Sequence, residues 1–140
     1  MIDIDNQTAY AVNEKLLETI LQDLTQKDIE LIVTSNEQIQ KINKEYRDID
    51  KPTDVLSFPY EEMPMAPLGS IVISIDYVQN KAKEFGHSEE DEFTLLFIHG
   101  LLHLLGYDHE CDNGEMREME EKLIRKLKLP NSLIVRTQEQ

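Results

Sequence analysis

The chain has 140 residues, 40% of them apolar and 30% charged, with a formal net charge of −14. That size favours one domain with a core that needs no staples, no apolar run approaches the ~18 residues of a membrane span, and the acidic Met1–Asn6 start lacks the basic and apolar stretches of a signal peptide. One cysteine, Cys111, allows no internal disulfide and suits a reducing cytosol, while the net charge taken alone argues against non-specific binding to nucleic acid, DNA included.

The charge is uneven: Lys41, Lys44, Arg47 and Lys51 cluster in one stretch, and Glu110 to Glu121 is an acidic run that reads as a solvated helix surface. No repeat, low-complexity tract or linker interrupts residues 1–140, which read as a single domain.

Residues 1–6 alternate and predict a short strand. A helix is expected over 9–24, with Val12, Leu16, Leu17, Ile20, Leu21 and Leu24 on one stripe. Residues 28–34 predict a second strand. Ser35 with Gln38 forms a capping box that opens a helix to about Tyr46. Residues 47–53 are polar and end in Lys51-Pro52-Thr53, a loop signal. Residues 54–60 predict a strand in which Pro59 marks an end or an edge, 61–69 a loop, and 70–75 another strand. A helix follows from Asp76 to Phe85, capped near Ser74 and ended by Gly86. Ser88 with Asp91 opens the most apolar helix, running to Leu105. It is apolar nearly all round and is expected to be central. Gly106 stops it, and an amphipathic helix spans about Gly114 to Leu127. Strands interleaved with about five helices predict an α+β domain: a small mixed sheet packed by helices.

Residues 99–109 read His-Gly-Leu-Leu-His-Leu-Leu-Gly-Tyr-Asp-His. His99 and His103 are four apart on a helix and so share one face. Gly106 can take positive φ and turn the chain back, which brings His109 to the same side as a third ligand. Three imidazoles and an open position are the usual catalytic zinc arrangement, one Zn²⁺ per chain; nickel, copper and iron also accept imidazole. Because zinc takes neutral imidazole, acidification is expected to empty such a site. The spacing equals that of the metzincin peptidase signature, except that Gly100 replaces the glutamate that serves as general base. Cys111 is a candidate fourth ligand and Asp108 a candidate carboxylate to orient an imidazole; His87 reads as a loop histidine outside the site, and Ser57 and Phe58 as strand residues.

The run from His99 to His109 resembles the signature of the YbeY family, bacterial metal-dependent endoribonucleases also called ribosomal RNA maturation factors. Two further stretches agree in order and spacing: Ile42-Asn43-Lys44-Glu45-Tyr46-Arg47 with Pro52-Thr53-Asp54-Val55-Leu56-Ser57-Phe58-Pro59, and Leu68-Gly69-Ser70-Ile71-Val72-Ile73-Ser74. Together they cover roughly residues 40–110. The sequence departs from the family pattern at Ser70, where an aspartate is usual, and at Cys111.

The resemblance implies a compact α+β domain and a zinc held by His99, His103 and His109. It implies cleavage of single-stranded RNA, with a part in maturing the 3′ end of small-subunit ribosomal RNA, in ribosome biogenesis and in ribosome quality control. It places Arg47 in a catalytic role facing the metal. The expected partners are single-stranded ribosomal RNA and the small ribosomal subunit with its proteins, in the cytoplasm and away from any membrane. An arginine there can clamp a phosphate bidentately and stabilise transition-state charge. Two other readings stay open at this point: a zinc-containing ribosome-assembly factor without catalysis, and a metallopeptidase.

Overall fold

The structure, a computed structural model, describes residues 1–61, 63, 65–108 and 112–130. Four strands are joined by five helices among these residues: β1 (Ile2–Asn6), α1 (Glu14–Leu24), β2 (Ile29–Thr34), α2 (Asn36–Arg47), β3 (Val55–Pro59), β4 (Gly69–Ser74), α3 (Ile75–Phe85), α4 (Glu89–Leu104) and α5 (Glu115–Lys126). The sheet order is β1-β2-β4-β3, parallel except for β3, which runs antiparallel along β4 at the edge. This is the small mixed sheet that the sequence predicts. No helix among the described residues is long and apolar enough to cross a membrane.

The pleat decides what each face meets. Ile29, Leu31 and Val33 of β2 and Ile71 and Ile73 of β4 alternate onto one face, where they pack with α1, α3, α4 and α5 in the main core. Leu56 and Val72 point the other way and pack against Ile39 of α2, with Ile32, Ile42 and Phe58 around them. Helix α4 is central: twelve of its sixteen residues are buried. That leaves no solvated stripe and explains why its sequence is apolar nearly all round. Pro59, which cannot donate to a ladder, ends the edge strand opposite Gly69.

The capping signals in the sequence are used as hydrogen bonds. The Ser35 hydroxyl accepts from the Gln38 amide at 3.3 Å, and the Ser88 hydroxyl accepts from the Asp91 amide at 3.0 Å. Ser74 stands at the N-terminus of α3 but caps nothing there. Its hydroxyl donates to Asn36 Oδ1 at 2.6 Å, while the Asp76 carboxylate accepts from the Asn36 amide at 2.8 Å. The starts of α2 and α3 are thereby tied together.

One element begins later than its apolar stripe predicts. Helix α1 starts at Glu14 instead of residue 9. Asn6 accepts from the Thr8 amide and hydroxyl and donates to the Tyr10 carbonyl, a local turn that competes with helix. Asn13 then supplies the cap, accepting from the Leu16 amide at 3.2 Å.

Tyr10, released from the helix, stacks on Phe93 with centroids 5.1 Å apart. Burial, reinforced by Glu90 and its acidic neighbours in the first turn of α4, pushes its phenol up to about 12. An unfolded phenol titrates near pH ~10, so the fold favours the neutral form. This contribution to stability is present below pH ~10 and is lost as the pH climbs from there to about 12. Alkaline titration by tyrosinate absorbance is expected to show a late step to which Tyr10 contributes. Tyr10→Phe should lower the amplitude of that step by one tyrosine; an unchanged amplitude sinks the assignment.

Candidate metal centre

His99 and His103, the first two histidines of the candidate metal motif, lie on the last two turns of α4. Residues four apart on a helix are neighbours, and the His99 and His103 rings sit 4.7 Å apart at 80°, with their Nε2 atoms 3.1 Å from each other. Two ligands ~2.0–2.1 Å from one tetrahedral zinc stand roughly 3.3 Å apart, so the pair is spaced as ligands of a single ion.

Each ring is held from behind through Nδ1. His99 Nδ1 faces Glu120 Oε1 on α5 at 2.7 Å, and both side chains are buried. His103 Nδ1 faces the Tyr107 carbonyl at 3.0 Å. A carbonyl only accepts, so His103 Nδ1 carries the proton, and an ionised Glu120 requires the same of His99. In the neutral rings both Nε2 lone pairs then converge on one point, an arrangement that a cation between them relieves. Proton placement of this kind follows from the hydrogen-bond partners.

Helix and turn cooperate in this. Leu105 caps α4, Gly106 takes φ 101°, and the Tyr107 amide returns to the Leu102 carbonyl at 3.0 Å. The glycine performs the reversal predicted for it, and the same reversal aims the Tyr107 carbonyl at His103. His109, which the sequence adds as third ligand, and Cys111, its candidate fourth, lie outside the described residues.

The two imidazoles open onto a cleft of about 480 Å³ walled by α4, the edge strand β3 and the end of α2. Arg47, Asp54, Ser57 and Asp108 also line it. Arg47 is the last residue of α2, and its guanidinium makes no ion pair among the described residues. The turn that sets it is pinned. Asp48 takes the left-handed φ of 57°, the Ile49 amide bonds back to the Asn43 carbonyl, and the buried Asn43 donates its amide to the Lys51 carbonyl at 3.0 Å. Lys44 and Lys51, the other candidate cations of this stretch, stand on the surface.

One expectation changes. The acidic run is not wholly a solvated surface, because Glu120 is buried against His99. It faces an imidazole nitrogen in the way considered for Asp108, and Asp108 itself lines the cleft. His87 stands in the loop before α4 and outside the cleft lining, as expected, and its side chain is buried against the buried Glu92 at 2.7 Å. Ser57 is the strand residue expected, in β3, and its hydroxyl donates to the Gly100 carbonyl at 3.1 Å beside the cleft.

Gly100 gains a packing reason. A Cβ there would stand 2.9 Å from Ile71 Cγ2 and 3.2 Å from Ser57 Oγ. The peptidase glutamate would be driven into β4, which counts against a peptidase site on this helix. Ser70, the departure from the family pattern, pairs with Phe58 on the α2 side of the sheet. The histidines lie across the sheet from it, so an acid at position 70 would not face them.

Comparison with known proteins agrees with this architecture. Residues 1–128 match the family described as Endoribonuclease YbeY. The Endoribonuclease YbeY of Aliarcobacter butzleri is 66% identical over 138 residues, covering 97% of this chain and 99% of the relative. That of Sulfurimonas denitrificans is 59% identical over 138 residues, covering 99% of each. The solution structure of TM1509 from Thermotoga maritima superposes with a TM-score of 0.61 at 28% identity, covering 99% of this chain and 93% of that one. The chain belongs to the endoribonuclease YbeY family.

Proposed function

We propose that this protein is a zinc-dependent endoribonuclease that cuts single-stranded RNA in the cleft between α4, β3 and the end of α2. His99, His103 and His109 hold the metal. The supporting observation is the convergence of the His99 and His103 Nε2 atoms at 3.1 Å, with both Nδ1 atoms committed elsewhere, in a cleft that Arg47 also lines. The substrate is small-subunit ribosomal RNA near its 3′ end, handled with the small ribosomal subunit in the cytoplasm during ribosome maturation and quality control.

When bound, the metal supplies Lewis-acid chemistry at a phosphoryl oxygen. The chain supplies the rest. Glu120 and the Tyr107 carbonyl keep the two imidazoles in the tautomer that offers Nε2. Arg47 binds the phosphate through its fork of N–H donors and stabilises the extra charge of the transition state. Arginine suits this task better than lysine because its planar fork is pre-organised for two phosphate oxygens. The Asn43–Lys51 hydrogen bond holds the turn from which it reaches.

Charge reversal at Arg47 tests the reading. Arg47→Glu should lower cleavage of single-stranded RNA by about 10²-fold or more, with zinc content and melting temperature unchanged, because its side chain is exposed and partnerless among the described residues. Retained association with small ribosomal subunits together with lost cleavage supports the enzyme. No cleavage by either protein, with association lost in the variant, would make the chain a non-catalytic assembly factor.

A further inference from the structure

We propose that Tyr46 is a base-stacking subsite: a nucleobase of the bound strand, next to the phosphate that Arg47 holds, lies against the Tyr46 ring. This inference rests on the RNA-cleaving reading above and adds the contact that selects single strands.

Tyr46 is 66% exposed, unusually open for a tyrosine on a helix that buries its opposite face. The ring is not loose. It meets Phe58 edge-on, centroids 5.5 Å apart at 60°, and Phe58 is itself packed against the Ile39, Leu56 and Val72 cluster. The result is an aromatic surface held from one side and open on the rest. Tyr46 and Phe58 stand at the rim and not in the cleft lining: Arg47, which lines the cleft, follows Tyr46 in the chain, and Phe58 lies on the edge strand between the cleft residues Ser57 and Pro59. A strand whose phosphate reaches Arg47 and which continues over the β3 edge, where α2 ends, meets the open Tyr46 ring.

Charge explains why a stacking contact is needed here. Residues 41–51 hold four basic and three acidic side chains, a net of +1 in a chain of −14. Lys44 is near Asp50 at 3.9 Å, and Lys41 is near Glu37 at 3.8 Å. Few cations remain to grip a phosphate backbone, so phosphate attraction alone gives weak binding. Stacking is independent of charge and tolerant of base identity. A base enclosed in a duplex cannot present its face to Tyr46, so the subsite discriminates against paired RNA.

The chain contains no tryptophan, so Y46W places a sole indole emitter at the subsite. The probe is a short single-stranded 2′-O-methyl RNA of mixed sequence, compared with its duplex and with an abasic strand of equal phosphate count. Y46W emission should be quenched by the single strand and not by the other two. Y46A should bind the single strand roughly tenfold or more weakly and Y46F within about twofold of wild type. The slope of log affinity against log salt should be unchanged in Y46A, whereas Arg47→Ala should flatten it by about 0.7. Equal binding by Y46A and wild type, or equal quenching by the abasic strand, overturns the proposal. Cleavage by the wild type with equal Y46A binding rejects the subsite and leaves the nuclease reading standing. Binding with the stacking signature but no cleavage rejects the nuclease reading and keeps the subsite, and a wild type that binds no RNA rejects both.

Discussion

In His103→Ala, zinc should fall from one ion per chain to a trace, and cleavage of single-stranded RNA should fall by about 10³-fold or more, while the protein stays folded. The activity loss follows from several kcal/mol of transition-state charge stabilisation by a metal, at 1.36 kcal/mol per factor of ten. The fold should persist because His103 is only half-buried and its partner is the Tyr107 carbonyl beside the cleft, where water can replace the ring. His99→Ala should lose the metal equally and should also lose stability, by about 2–4 kcal/mol. Its ring is buried, and its removal leaves the buried Glu120 carboxylate without its partner. Zinc analysis, a cleavage assay and thermal melts on the same preparations separate the two effects. A His103→Ala protein that keeps both metal and cleavage would show that α4 does not carry the site.

The parts of this site that could be read from sequence are those fixed by local chain geometry. An i, i+4 histidine pair on a helix that ends at a glycine needs no tertiary information, and neither do the Ser35 and Ser88 caps. The apolar character of α4 announced its central place, because only a helix covered on every side has no use for a polar stripe. What the sequence concealed are contacts between distant segments. Ser57 meets Gly100 across 43 positions, and Gly100 itself reads from sequence only as a missing base; its packing against Ile71 appears once β4 is in place. His87 and Glu92, five positions apart, would each pass for a surface residue, yet they satisfy one another in the core. The start of α1 does not show in the stripe, because a continuous stripe says nothing about Asn6, whose side chain captures the backbone before the helix begins.

Glu120 is legible from the stripe of α5 alone. Met116, Glu120, Leu123 and Ile124 fall on one buried stripe of α5 at i, i+4, i+7 and i+8, so an acid there is an acid inside, and a buried acid needs a partner. The partner is His99 Nδ1, and the expected consequence is measurable. Glu120→Ala should weaken zinc binding by 10- to 100-fold, the usual penalty for losing a carboxylate behind a metal-bound imidazole. Without the carboxylate, the ring can rotate or change tautomer, and Nε2 becomes a poorer donor. Glu120→Gln separates the two contributions: its amide oxygen can still accept from Nδ1–H and keep the ring oriented, but the negative charge that balances the cation is gone. It should fall between wild type and Glu120→Ala. Stability should respond differently from metal affinity. Glu120 Oε2 is buried with no hydrogen-bond partner among the described residues, so the native carboxylate already carries a desolvation penalty. Removing it from the metal-free protein should therefore destabilise less than His99→Ala does, because it takes away an unsatisfied atom along with a satisfied one. Competition against a zinc chelator gives the affinities, and melts of metal-free protein give the stabilities. If all three proteins bind zinc equally, Glu120 only fills space behind His99, and the metal site is organised without it.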